Sequence, residues 1–242
     1  MELRDSGLVV WDVDGTLIPA DLRWLRRSIA QTFGLAEAAI VFPETKVHGY
    51  TDESIVIDTA IASGVSRREA EGGVARFHEA LATVMDEGRA ELSLVQPPYP
   101  GAADSISALQ LCGLRQTVLT GNLRLAAEIK LGTLGLDRHL DLRIGAFGSD
   151  DRDRFRLPRV IARRFARMYG YDLDASRTVV IGDAPNDIAC ARQARFSVVV
   201  VAHRANRDEL AAFHPDAILD RLDPEKVVSA VRSLLNAAPS KD

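Results

Sequence analysis

The valine-rich runs that show no alternation constrain the fold most. Residues 178–181 and 197–201 are apolar almost without a break, and residues 8–13 form a similar strand-like segment. A strand with one wet face alternates polar and apolar side chains. A strand that is apolar at consecutive positions is covered on both faces, as in a parallel sheet flanked by helices. Shorter strand-like segments at 116–119, 142–147 and 217–219 extend the series. Helical patterns fall between them at 104–111, 123–134, 157–168 and 187–193. The tail adds a helix starting near Pro224, with Val227, Val228, Val231 and Leu235 on one face. Strands alternating with helices of this length predict an α/β fold, an open parallel sheet with right-handed crossovers.

Residues 19–98 break that rhythm. They carry helical patterns at 21–33, 52–62 and 67–85 and no convincing strand. They end in the helix-hostile string Gln96-Pro97-Pro98-Tyr99-Pro100-Gly101. About eighty residues is too long for a plain loop. The expected organisation is a core of residues 1–18 and 99–242 with an all-helical cap, residues 19–98, inserted into it. The last residues, 237–242, are expected to fray.

Composition excludes several function classes. The 242 residues carry 30 basic and 34 acidic side chains, and nothing in that balance favours a polyanionic partner. Neither nucleic acid nor a membrane surface is expected as a partner. The longest apolar run, 196–202, is far below the roughly 18 residues of a membrane span. No secretory pattern opens the chain, so a cytoplasmic location is the expectation. The two cysteines, Cys112 and Cys190, read as buried free thiols. The five histidines, at 48, 78, 139, 203 and 214, have no zinc spacing.

Three motifs sit where predicted strands end. Asp12-Val13-Asp14-Gly15-Thr16-Leu17 follows the first strand, and ligands of open α/β sheets bind beyond the carboxyl ends of strands. Two carboxylates two residues apart face the same way in extended chain and suit a hard divalent cation, or else bond their own turn. Gly182-Asp183-Ala184-Pro185-Asn186-Asp187 follows the fourth strand, and two acidic clusters at neighbouring strand ends would repel without a cation. Thr120-Gly121-Asn122 offers a hydroxyl, small-residue amides and a carboxamide at a helix start. That set suits a phosphate or a simple helix cap.

Taken together, these motifs resemble the haloacid dehalogenase-like (HAD) hydrolase superfamily, in its magnesium-dependent phosphatase branch with a helical cap. Asp12 to Leu17 matches the first family motif, Thr120-Gly121-Asn122 the second, and Gly182 to Asp187 the fourth. Tyr99-Pro100-Gly101 resembles the return from cap to core. His48-Gly49-Tyr50-Thr51-Asp52 resembles the cap segment that reaches toward substrate. The third motif departs from the family, because residues 148–158 contain no lysine. Arg154, with Arg152 as the alternative, takes that place.

The resemblance implies a three-layer Rossmann-like core and a phosphomonoesterase that works through an aspartyl-phosphate. Asp12 would be the nucleophile and Asp14 the general acid and base. Mg2+ would be held by Asp12, the Asp14 carbonyl and Asp183, with Asp187 orienting them. Thr120, Arg154 and the Val13 and Gly121 amides would cradle the phosphate, with Asn122 beside the nucleophile or the substrate. His48, Gly49, Thr51 and Asp52 would face the leaving group. A small phosphorylated metabolite, such as phosphoglycolate or a sugar phosphate, is the implied substrate, and a monomer or weak homodimer the implied state. The competing readings are a β-phosphoglucomutase-like phosphotransferase, a haloacid dehalogenase, and a metal-binding interaction protein without turnover. Asp14 argues against the dehalogenase.

Overall fold

The structure is a computed structural model and describes residues 7–43 and 50–237. Five strands, β1 (Leu8–Trp11), β2 (Arg115–Val118), β3 (Thr178–Gly182), β4 (Ser197–Val201) and β5 (Ala217–Leu219), form one parallel sheet in the order β2-β1-β3-β4-β5. In the central strand, Val9 pairs with Gln116 on one side and Val179 on the other. The chain crosses from β1 to one neighbour and later returns to fill the other side. This places a topological switch point, and hence a crevice, at the carboxyl end of β1.

Between β1 and β2 lie five helices of the insertion, α1 (Arg23–Phe33), α2 (Asp52–Ala62), α3 (Arg67–Gly72), α4 (Val74–Glu87) and α5 (Arg89–Val95), and then α6 (Ala102–Leu111). Helix α7 (Arg124–Thr133) and α8 (Leu157–Tyr169) link β2 to β3. Helix α9 (Pro185–Gln193) precedes β4, α10 (Arg207–Ala211) precedes β5, and α11 (Pro224–Ala237) follows it.

Strand residues divide by parity between two cores, which is why the runs are apolar throughout. Val9, Trp11, Val179, Ile181, Val199 and Val201 pack with Ile106 and Leu109 of α6 and Val227 and Val231 of α11. Their neighbours Leu8, Val10, Val180, Val198 and Val200 pack on the other face with Leu157 and Ile161 of α8 and Ile188 of α9. Each fully buried side chain of this size contributes about 1.5–3 kcal/mol. A separate cluster joins Trp24, Leu25, Ile55, Phe77, Leu81, Met85 and Leu92 of the insertion to Leu123, Ala126 and Ile129 at α7. Helix α7 thus serves both the sheet and the inserted helices.

Three sequence expectations need correction. Residues 142–147 are not a strand: only Ala146 bridges, to Leu119. The amides of Ile144 and Gly145 are turned back onto Asp141 and Leu142, so no ladder can propagate. The helix expected over 67–85 breaks at Gly73, where a Cβ would lie 2.5 Å from the Phe33 ring. A further helix, α5, follows Gly88, which packs against the Trp24 ring too closely to carry a Cβ. Cys190 is buried and Cys112 half-buried, and both are free thiols. His48 and Gly49 lie outside the described residues. No helix of the described residues is long and apolar enough to cross a membrane.

Candidate active site

Asp12 is the first residue beyond β1, and its amide donates to the Ile181 carbonyl at 2.9 Å. The next residues curl tightly, the amides of Thr16, Leu17 and Ile18 all donating to the Val13 carbonyl. Gly15 makes that turn possible with φ of +99°, and a Cβ there would lie 2.4 Å from the Asp183 carboxylate. At the end of β3, Asp187 folds back so that its Oδ2 accepts from the Asp183 and Ala184 amides, both at 3.0 Å. This bond locks the loop that presents Asp183.

The two strand ends converge. Asp12, Asp183 and Asp187 are all buried, and one carboxylate oxygen from each lies within 4.8 Å of the others. Arg154 enters from the turn before α8. Its Nη2 donates to Asp12 Oδ1 at 2.8 Å and also to Asp187 Oδ1. Its buried Nε has no acceptor. Arg152 instead points outward, pairing with Glu53 at 2.7 Å. Arg154, not Arg152, therefore meets the acids. Thr16 Oγ1 lies 3.2 Å from Asp183 Oδ1 and 3.3 Å from Asp12 Oδ2.

Arg154, with Arg204 Nη1 3.5 Å from Asp183 Oδ2, does not balance these carboxylates. Burial, then Asp187, pushes Asp12 up to about 7 against the opposing pull of Arg154. Burial, then Asp12 and Asp187, pushes Asp183 up to about 8. Burial also works against the charge on Arg154, but Asp187 and Asp12 more than offset it and hold the guanidinium charged. Excess negative charge on buried, hard oxygen donors fits a divalent cation such as Mg2+, which Asp12 and Asp183 could hold through their carboxylates. Asp187 has both oxygens engaged, so it orients Asp183 and Arg154.

These shifts carry a sign. An unfolded chain ionises Asp12 and Asp183 near 4, whereas the folded metal-free protein holds those protons until about 7 and about 8. Folding therefore binds protons in that window, and the contribution of these groups to stability falls as pH rises through it. In EDTA, the Tm is expected to drop by several degrees between about pH 5 and pH 8. A divalent cation held by these carboxylates would displace the same protons, so Mg2+ is expected to raise the Tm more at pH 8 than at pH 6. A scanning calorimetry series with Asp183→Asn as the flattened control checks this; a metal-free Tm that climbs across the window would contradict it.

Asp14 faces a second group. Lys130 Nζ lies 2.6 and 2.9 Å from its two carboxylate oxygens, and Asn122 Nδ2 donates to Oδ2 at 2.8 Å. Lys130 also donates to Asn122 Oδ1 at 3.1 Å and is almost fully buried. The Asn122 carboxamide is thus bound to the Asp14 side of the site. Lys130 was not singled out in the sequence, yet a signal existed. Leu123, Ala126, Ala127 and Lys130 share the inward stripe of α7 at i, i+3, i+4 and i+7 spacing. A lysine on such a stripe needs a buried acid.

The inserted helices close over this group. Thr51 caps α2, and its hydroxyl donates to the Arg152 carbonyl at 2.9 Å. Asp52 reaches into the core, accepting from the Leu123 amide at 2.8 Å and lying 3.4 Å from Asn122 Nδ2. Its amide donates to the Gly121 carbonyl at 2.7 Å, and a Cβ on Gly121 would strike the Tyr50 carbonyl. Burial, opposed by Lys130 and the Leu123 amide, pushes Asp52 up to about 6.

Asp12, Asp14, Asp52, Thr120, Gly121, Asn122, Lys130, Arg154, Asp183 and Asp187 line one cavity of about 60 Å3, whereas Thr51, expected to face the leaving group, is fully buried outside it with its hydroxyl spent on the Arg152 carbonyl. The Val13 side chain is buried in the sheet core below.

The family profile described as "haloacid dehalogenase-like hydrolase" matches residues 9–192. The chain is 28% identical over 219 residues to a phosphoglycolate phosphatase of Agrobacterium fabrum, covering 89% of this chain and 88% of that one. It is 27% identical over 236 residues to a phosphoglycolate phosphatase of Mesorhizobium japonicum, covering 96% and 97%. A hydrolase from Pseudomonas syringae has the same fold, with a TM-score of 0.65 at 18% identity over 93% of this chain and 98% of that one. With the three motifs gathered at one strand-end crevice and the profile spanning both strands that carry the acids, the chain belongs to the haloacid dehalogenase-like hydrolase family.

Proposed function

We propose that this protein is a Mg2+-dependent phosphomonoester hydrolase that works through an aspartyl-phosphate on Asp12. The observation that carries the reading is the convergence of Asp12, Asp183 and Asp187 around Arg154 at the floor of one small cavity. Asp12 attacks phosphorus, and Asp14 gives a proton to the departing alkoxide. Water then attacks the acyl phosphate and Asp14 takes the proton back. Asp12, Asp183 and the Asp14 carbonyl would hold the metal, which when bound would supply charge that lets an anionic nucleophile meet an anionic phosphate. Arg154 adds a fixed positive charge, and its unpartnered Nε is a donor for a phosphoryl oxygen. Thr120 and the Val13 and Gly121 amides hold the remaining oxygens.

In this reading residues 19–98 act as the cap, and its docking through Asp52 excludes bulk water from the acyl phosphate. The named activity of the relatives makes 2-phosphoglycolate the reference compound for a phosphorylated-metabolite screen. Mg2+-dependent, EDTA-sensitive release of phosphate supports hydrolysis. Isomerisation of a β-hexose 1-phosphate without phosphate release would replace it with the mutase reading. No metal-dependent turnover of any small phosphomonoester would sink the proposal.

Lys130 acts here as a positioning residue for Asp14. Lys130→Met is expected to lower kcat by about 10²-fold with little change in KM, because a displacement of about 1 Å at the acid–base group costs that much. Alkyl phosphates, whose leaving groups need the proton, should suffer more than p-nitrophenyl phosphate. An equal loss on both would argue for a merely structural lysine.

A further inference from the structure

Asp52 grips one short loop at both ends. Its amide donates to the Gly121 carbonyl at 2.7 Å, and its Oδ2 accepts from the Leu123 amide at 2.8 Å. Between those residues, Asn122 turns its carboxamide toward three charged groups. Its Nδ2 donates to Asp14 Oδ2 at 2.8 Å and lies 3.4 Å from Asp52 Oδ1, while its Oδ1 accepts from Lys130 at 3.1 Å. Gly148 backs the same loop: its amide donates to the Asn122 carbonyl at 2.8 Å, and a Cβ there would strike the Gly121 carbonyl. Asp52, Asn122 and Lys130 are all buried.

Each member of this set orients the next. A carboxamide donates from one end and accepts at the other, and turning it over exchanges the two. Lys130 can only donate, and an ionised carboxylate can only accept. Lys130, Asp14 and Asp52 therefore hold Asn122 in one sense, the sense that gives Asp14 its second donor beside Lys130. A path of contacts runs from the first residue of α2, through Asn122, to Asp14.

Resting on the phosphatase reading above, we infer that Asp52 is a positioning residue for the acid–base group. By fixing the Gly121–Leu123 loop and the sense of the Asn122 carboxamide, it sets where Asp14 stands, so both proton transfers depend on the seating of α2 against the start of α7. The second transfer carries the clearest signature. There the water oxygen bonds to phosphorus, the bond from phosphorus to Asp12 breaks, and the water proton passes to Asp14. The leaving group has already departed. A residue that only touched the leaving group would alter formation of the acyl phosphate and not its loss.

The substrate p-nitrophenyl phosphate separates the two steps, because its leaving group departs without needing a proton. Asp52→Asn keeps an acceptor for the Leu123 amide but sets an NH2 group against Asn122 Nδ2, donor against donor. The Mg2+-loaded protein would be mixed with 32P-labelled substrate, chased with unlabelled substrate and quenched in acid. Loss of the acyl phosphate is expected to slow by about 10-fold in the variant, given that a displacement of about 1 Å at a catalytic group costs up to about 10²-fold. Its formation, and the substrate concentration that half-saturates formation, should change by less than about 2-fold. Asn122→Ala should slow the same step, and adding Asp52→Asn to it should slow it no further, as expected of residues that act through one contact. Asp52→Ser, which keeps a small polar residue at the helix start, replaces Asp52→Asn if the latter melts below the assay temperature. Altered formation or half-saturation with unchanged loss would make Asp52 a leaving-group contact and overturn the inference. Additive effects in the pair, or no change in either step, would overturn it too. In each of those cases the wild type still carries phosphate on Asp12, and the phosphatase reading stands. A wild type that forms no acyl phosphate on Asp12 overturns both.

Discussion

Asp12→Asn is expected to lower kcat by at least about 10⁴-fold without unfolding the protein. The carboxylate is the atom group that bonds to phosphorus in the proposed reaction, and an amide cannot replace it. Fold retention follows from the electrostatics. Burial, and then the neighbouring Asp187, pushes Asp12 up to about 7, so its ionised form is a cost in the metal-free state. The variant should be at least as stable as the wild type in EDTA at pH 8. The gain in Tm on adding Mg2+ should shrink, because one of two carboxylate ligands is gone. Activity assays and thermal melts with and without metal read these three outcomes together. Retained turnover would remove Asp12 from the chemistry.

Arg154→Met is expected to damage stability as well as rate. Arg154 is buried and bridges Asp12 and Asp187, whose carboxylates have few other neutralising partners. Removing one member of a buried ion group costs about 3–5 kcal/mol, because the partners stay behind unpaired. For a chain of this size, each 1 kcal/mol shifts Tm by roughly 2–4 °C, so a loss on the order of 10 °C is anticipated. Turnover should fall by about 10²–10³-fold for want of a fixed charge on the phosphoryl oxygens. Adding Asp187→Asn to the variant should recover part of the stability and none of the rate. Arg154→Lys keeps the charge but not the fork, and should sit between. A Tm unchanged in Arg154→Met would show that the bridge is not a stabilising contact.

The parallel sheet and its strand-end acids were readable because they rest on short-range rules. Residues 178–181 and 197–201 announce two covered faces by their lack of alternation, and the structure shows both faces packed by helices. Asp12, Asp14 and Asp183 follow strands directly, so the sheet places them at one edge without any further information. Asp187 was readable for a related reason, being four residues from Asp183 on the same turn. What was not readable depends on contacts between distant segments. Lys130 lies 116 residues from Asp14 and looks in sequence like an ordinary helix lysine. Asp52 presents itself as a helix-start acid, yet its carboxylate accepts from the Leu123 amide, 71 residues away at the start of α7. The breaks at Gly73 and Gly88 come from the Phe33 and Trp24 rings of another helix, which local propensity does not register. The expected third strand failed because two of its amides were used in turns, leaving Ala146 to make a single bridge.

Passage of the phosphoryl group through Asp12 is read out by rapid quench with mass spectrometry. The Mg2+-loaded protein would be mixed with p-nitrophenyl phosphate, stopped in acid within milliseconds and digested. Up to one phosphoryl group per chain is expected, carried on the peptide containing Asp12 and absent from Asp12→Asn. A phosphoryl group on any other residue, or none at all during Mg2+-dependent turnover with a trapped pre-steady-state burst, would contradict it.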